Sequence, residues 1–172
     1  MISGIAIVGG NGSGKTTLGK YLAALLAYKH IDVEDYYFKQ SAVPYADPRS
    51  KEEVQKLILE DIHQYGHFVL SAVNGDMGEE INDLYRHIVY LQAPLDIRIK
   101  RVKQRSLDKF GSRVLEGGDM FEQEQNFYRF VASRSLDQTD NWIKKMCLPV
   151  LCLDGTAPIS DNIIRIREWI RG

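Results

Sequence analysis

The sequence predicts an α/β fold in three layers, an open parallel five-stranded sheet with helices on both faces. Three observations predict it. Four short apolar runs, at 2–8, 68–73, 87–91 and 150–153, and a short mixed stretch at 29–33 have the length of strands. The segments between them carry apolar residues at helical spacing. The first run ends in a cluster of glycines that leads straight into a helical segment. In sheets built this way the ligand sits at the carboxyl ends of the strands.

Each element follows from its residues. Ile2 to Val8 is almost wholly apolar, as a central strand covered on both faces must be. Lys15 to Tyr28 reads as a helix, and Lys29 to Val33 as a short second strand that runs into acidic and aromatic residues. A loop punctuated by Pro44 and Pro48 follows. Asp47 reads as an N-cap with Pro48 at the first helical position, before Val54, Leu57, Ile58, Ile62 and Tyr65 recur at helical spacing up to Gly66. Phe68 to Val73 and His87 to Leu91 are further strands, separated by the turn Asn74-Gly75-Asp76 and a short helix near Glu79 to Tyr85. Pro94 to Arg105 suits a basic helix, and the polar, glycine-bearing stretch Ser106 to Gly118 interrupts it as a mobile segment. Phe121 to Met146 is helical with a break around Ser135, Val150 to Leu153 is the last strand, and Ile159 to Ile170 closes the chain as an amphipathic helix.

The 172 residues, 44% hydrophobic and 26% charged, suit one domain over 1–172. A formal net charge of −1 offers no basic excess for a nucleic-acid backbone, so nucleic acid is not expected as a partner. Cys147 and Cys152 lack metal-type spacing and read as small hydrophobes of a reducing compartment. With no leader-like segment and no apolar run of membrane length, the expected location is the cytoplasm, away from membranes.

Residues 9–17, GGNGSGKTT, match G-x-x-x-x-G-K-[ST] through Gly9, Gly14, Lys15 and Thr16, between a predicted strand and a predicted helix. The turn formed by Gly10, Asn11, Gly12, Ser13 and Gly14 points successive N–H groups at one anion. Lys15 adds a positive charge at the β- and γ-phosphates, and Thr16, followed by Thr17, offers a hydroxyl to phosphate-bound magnesium. The expected cofactors are ATP and Mg2+. The guanine-reading N-K-x-D segment of GTPase switches is absent.

With this cradle, an acidic end to the second strand, an arginine-bearing segment and a late Asp-Gly-Thr, the chain resembles the nucleoside monophosphate kinase-like group of small P-loop kinases, which includes shikimate, gluconate, uridine and adenylate kinases. The resemblance implies a P-loop fold with strand order 2-3-1-4-5 and an arginine-bearing lid at about 106–118. It also implies a kinase that moves the γ-phosphate of ATP to a small acceptor. A monomer or homodimer is expected, with the choice between them left open. In IDVEDYYF, residues 31–38, it gives Asp32 the magnesium side and Asp35 the acceptor hydroxyl, with Glu34 the rival. It sets Arg101 against adenine, Arg105 and Arg113 on the phosphates, and Gly155 and Thr156 in the base-binding loop. A solvated acidic turn and a solvated basic helix remain the plainer readings of these segments.

The acceptor is left open, because SAVNGD, residues 71–76, has neither the triple glycine of shikimate kinases nor the glycine-proline-arginine of adenylate kinases. Tyr45, Arg49, Asn74 and Arg134 join Asp35 as acceptor-side candidates, although the same residue types serve as caps and surface pairs. Residues 115–135 receive no chemical part. Two other classes stay open: a regulatory module that holds ATP without turnover, and an ATPase coupled to a macromolecular partner. Asp154 resembles the strand-end carboxylate of such ATPases, but its late position favours the base-binding loop.

Overall fold

A computed structural model describes residues 2–38 and 47–172. Its sheet has five strands, β1 (Gly4–Val8), β2 (Lys29–Asp32), β3 (Phe68–Ala72), β4 (Tyr85–Gln92) and β5 (Val150–Asp154), in the order β2-β3-β1-β4-β5. Every pairing is parallel, so all five carboxyl ends lie on one edge. This is the order the resemblance implied.

Side chains alternate across β1 as a pleated strand requires. Ala6 and Val8 face one layer, where α3 (Lys51–Tyr65), α4 (Glu79–Asn82) and α7 (Asp137–Met146) supply Val54, Ile58, Ile62, Ile81 and Trp142. Ile5 and Ile7 face the other, where α1 (Lys15–Leu26) and α8 (Ile159–Arg171) supply Leu18, Leu22 and Ile166. A third, smaller cluster of Val102, Tyr128 and Val131 joins α5 (Leu95–Phe110) to α6 (Phe121–Ser133). Among the described residues no helix is long and apolar enough to cross a membrane.

Two boundaries differ from the sequence reading. The helix expected at Asp47-Pro48 begins at Lys51, because Ser50 and Glu53 cap each other reciprocally and satisfy two of the helix's orphan N–H groups. Pro48 lies instead in an isolated bridge to Phe38. The basic helix also does not stop at Arg105. It runs to Phe110 and a 3-10 turn, Gly111–Val114, follows, with Ser106 and Val114 buried. Ser106 Oγ donates to the buried Glu124 carboxylate at 2.6 Å, so the polar residue that looked like a break is an internal contact between α5 and α6. The break around Ser135 is where α6 ends and α7 begins. A short helix, α2 (Val33–Tyr37), follows β2 directly and carries the acidic residues out from the strand end.

Candidate active site

At the carboxyl end of β1 the chain turns through residues 9–14 into α1. Gly12 has φ 81°, and a Cβ there would stand 2.4 Å from the Arg98 carbonyl oxygen, so backbone conformation and space both demand glycine. Lys15 leaves the first turn of α1 and folds back over the loop, where its ammonium donates to Gly10 O at 2.9 Å. The side chain is buried, and burial lowers its pKa to about 8 against the opposing pull of Glu34 and Asp32, with Arg105 and Arg134 adding to the lowering. A desolvated ammonium surrounded by two carboxylates and two guanidinium groups is a strong local receptor for a phosphate anion.

Thr16 Oγ1 donates to Asp32 Oδ2 at 2.6 Å, while Asp32 Oδ1 accepts the Glu34 N–H at 3.1 Å and so caps α2. Hydroxyl and carboxylate form one pair of hard oxygens beside Lys15. Among the described residues no group of three or more His, Cys, Asp or Glu is gathered for a metal. The Thr16–Asp32 pair therefore fits a magnesium that takes its other ligands from phosphate and water, not one held in an all-protein cage.

These residues share a cleft of about 170 Å3 with Glu34, Arg101 and Arg105. Asp35 does not line it. Its side chain is exposed, and its field is felt at His30 and Tyr36. Successive residues of a helix point about 100° apart, so α2 aims Glu34 at the P-loop and Asp35 elsewhere.

The arginines divide. Arg101 donates to Gly155 O at 2.9 Å, with longer contacts of 3.4 Å to the Gly12 and Ser13 carbonyls, and so ties the loop to the turn after β5. Arg105 enters the cleft one helical turn later. Arg113 is exposed and pairs with Asp119 at 2.7 Å. Arg134, just past α6, reaches Asn11 Oδ1 at 3.3 Å and stacks over Phe130. Burial lowers the Arg134 pKa, opposed by the field of Glu34 and of Tyr37. The stretch 115–135, which had no part in the sequence reading, thus holds α6, whose end delivers Arg134 to the P-loop.

Beside the first cleft lies a second, of about 200 Å3, between Ser13–Thr17 and the turn after β5, with Leu18, Leu91 and Ile159 as apolar walls. Gly155 N–H donates to Gln92 O at 2.6 Å, and Asp154 Oδ1 accepts both the N–H and the hydroxyl of Thr156 at 2.7 Å. Asp154 therefore organises the turn. A slot with apolar walls and polar groups at its edge has the chemistry to take a purine base.

Of the acceptor-side candidates, Tyr45 lies outside the described residues. Arg49 spends Nη1 on the carbonyls of Tyr36 and Phe38, at 2.8 and 3.1 Å, and Asn74 Oδ1 accepts the Asp76 N–H at 3.1 Å. Both therefore act as backbone ties. Sequence reasoning missed Arg98, whose Nη1 contacts Asn11 O at 3.4 Å and whose Nε donates to Ala93 O at 3.1 Å. Its spacing from Arg101 and Arg105 on one helical face was the available signal.

The family model for the AAA domain matches residues 5–126. The uncharacterized protein YqaC of Bacillus subtilis is 27% identical over 180 aligned positions, covering 99% of this chain and 98% of YqaC. A shikimate kinase of Thermosynechococcus vestitus is 28% identical over 136 positions, covering 72% and 74% of the two chains. Among solved structures, a shikimate kinase from Acinetobacter baumannii in complex with shikimate superposes with a TM-score of 0.58 at 18% identity, covering 99% of this chain and 93% of that one. The fold is therefore one that solved kinases use.

Proposed function

The chain belongs to the AAA domain family, and from that premise we propose that it is a kinase that transfers the γ-phosphate of Mg-ATP to a hydroxyl of a small acceptor. The observation that carries the reading is the meeting of Lys15, Thr16, Asp32, Glu34 and Arg105 in one cleft at the carboxyl edge of the sheet. A bare phosphate-binding turn needs neither a second carboxylate nor an arginine there.

In this reading the loop amides and Lys15 hold the β- and γ-phosphates, and the slot beside Gly155 and Thr156 takes adenine. Thr16 and Asp32 would hold magnesium, which neutralises phosphate charge when it is bound. Glu34 orients the acceptor hydroxyl and accepts its proton as the acceptor oxygen bonds to the γ-phosphorus and the bond to the departing ADP breaks. Arg105 meets charge on the transferring group, and Arg113 joins it if the Asp119 pair opens. Arg134 stands on the Glu34 side of the cleft, which favours an acceptor with a carboxylate or phosphate of its own. Asp35, which does not line the cleft, is given no part in the transfer.

The test is product analysis. Purified protein, Mg-ATP and a panel of hydroxylated metabolites should yield ADP together with a phosphorylated product for at least one acidic acceptor, and Lys15→Ala should abolish both. ADP release without a phosphorylated product would move the reading to a partner-coupled ATPase. Nucleotide binding without ADP release would move it to a regulatory module.

A further inference from the structure

The layer between α1 and the sheet is aliphatic except at its outer corner. In the parallel register His30 pairs with Val69 and Asp32 with Ser71. Paired residues share a face, as do alternate residues along a strand, and Val69 packs in the cluster that holds Leu18 and Leu22. His30, Asp32 and Ser71 therefore all face α1. Asp32 receives the Thr16 hydroxyl, and the other two form a chain of their own.

His30 Nε2 lies 3.0 Å from Ser71 Oγ, and Ser71 Oγ lies 3.2 Å from the Lys15 carbonyl oxygen. Proton counting fixes the direction of this chain. A carbonyl can only accept, and a serine hydroxyl has one proton to give. Ser71 spends that proton on Lys15, so the proton between His30 and Ser71 is carried on Nε2. The chain runs His30 Nε2–H to Ser71 Oγ–H to Lys15 C=O.

Gly19 makes room for it. A Cβ at Gly19 would stand 2.4 Å from Ser71 Oγ and 2.6 Å from His30 Nε2. Glycine inside a helix is unfavourable relative to alanine, yet at this position any side chain would push the two donors away from the helix.

We propose that His30 is a positioning residue: it holds the Ser71 hydroxyl on the Lys15 carbonyl, fixing the first turn of α1 so that Thr16 stays opposite Asp32 and Lys15 over the loop. The inference rests on the reading of this cleft as a nucleotide site. The Lys15–Thr16 peptide joins the ammonium to the metal-side hydroxyl, so a carbonyl free to tilt would disturb both. Among the described residues no other combines a ring donor on β2 with a gap in α1 left by a glycine.

Two readouts test it in His30→Leu, His30→Gln, Ser71→Ala and the His30→Leu/Ser71→Ala double variant: affinity for Mg-ADP by calorimetry, and amide hydrogen exchange at Leu18 and Gly19. His30→Leu and Ser71→Ala are each expected to weaken Mg-ADP about fivefold, as loss of one buried hydrogen bond would, and to speed exchange at both amides. The double variant should be no weaker than either single one, because one chain is broken twice. Glutamine presents an amide donor, and His30→Gln should recover to within about twofold of wild type. Wild-type affinity in His30→Leu, additive losses in the double variant, or a glutamine variant as poor as the leucine one would overturn the proposal. Failure of the wild type to bind Mg-ADP would instead sink the nucleotide reading. The exchange measurement would then decide alone, and unchanged exchange in His30→Leu would overturn the role of His30.

Discussion

Burial, opposed by Glu34 and Asp32 and helped by Arg105 and Arg134, brings the Lys15 ammonium to about 8, below its ordinary 10.5. Between those values the unfolded chain holds a proton that the folded chain has released, so this residue makes stability rise with pH across that window. Bound phosphate should return the proton. Calorimetry of Mg-ADP binding near about pH 8.5, in two buffers of different ionisation enthalpy, is expected to show proton uptake that disappears in Lys15→Met. The carboxylates make a second prediction. Glu34→Gln should lower the transfer rate by about 100-fold or more with little change in nucleotide affinity, whereas Asp35→Asn should cost less than about tenfold; steady-state kinetics of both variants decide between them. The position of Lys15 and Thr16 at the mouth of the loop was legible in the sequence because the turn that places them is set by glycines within a few residues. The choice between Glu34 and Asp35 was not legible there, since it depends on how a five-residue helix is rotated against a distant loop.

Helix starts and stops show the same division. The pair Asp47-Pro48 carries the composition of a helix start, yet Ser50 and Glu53 three residues on satisfy each other's backbone partners and take the role. Ser50→Ala should destabilise the fold by about 1 kcal/mol in urea denaturation and leave Mg-ADP affinity unchanged, because no residue of α3 lines the cleft. The extension of α5 to Phe110 was hidden for a different reason. Ser106 looks like loop material until Glu124, far along the chain, is seen to receive its hydroxyl. That contact and the Val102–Tyr128–Val131 cluster join α5 to α6, and the two helices bring Arg105 and Arg134 to the same loop.

At the scale of the molecule, the alternation of strands and helices and the resemblance to small P-loop kinases were enough to anticipate the sheet order. Both rest on features repeated along the whole chain. The acceptor-side candidates Arg49, Asn74, Glu34 and Arg134 come from four separate segments, and only the folded chain separates Arg49 and Asn74, which tie backbone, from Glu34, which lines the cleft. A ligand bound only by the native state adds stability to all of it. With Mg-ADP at about 100 times its Kd, the gain should be about 2.7 kcal/mol, a rise in Tm of about 5–10 °C, measured by differential scanning calorimetry and absent in Lys15→Ala.

The uniform direction of the five strands has a practical corollary. Chain reversals at the amino ends of the strands stand on the rim opposite the chemistry, and one of them, Gly66 between α3 and β3, has open space around it. A short peptide tag inserted beside that glycine would report on the protein from the far side, leaving the carboxyl rim of the sheet untouched.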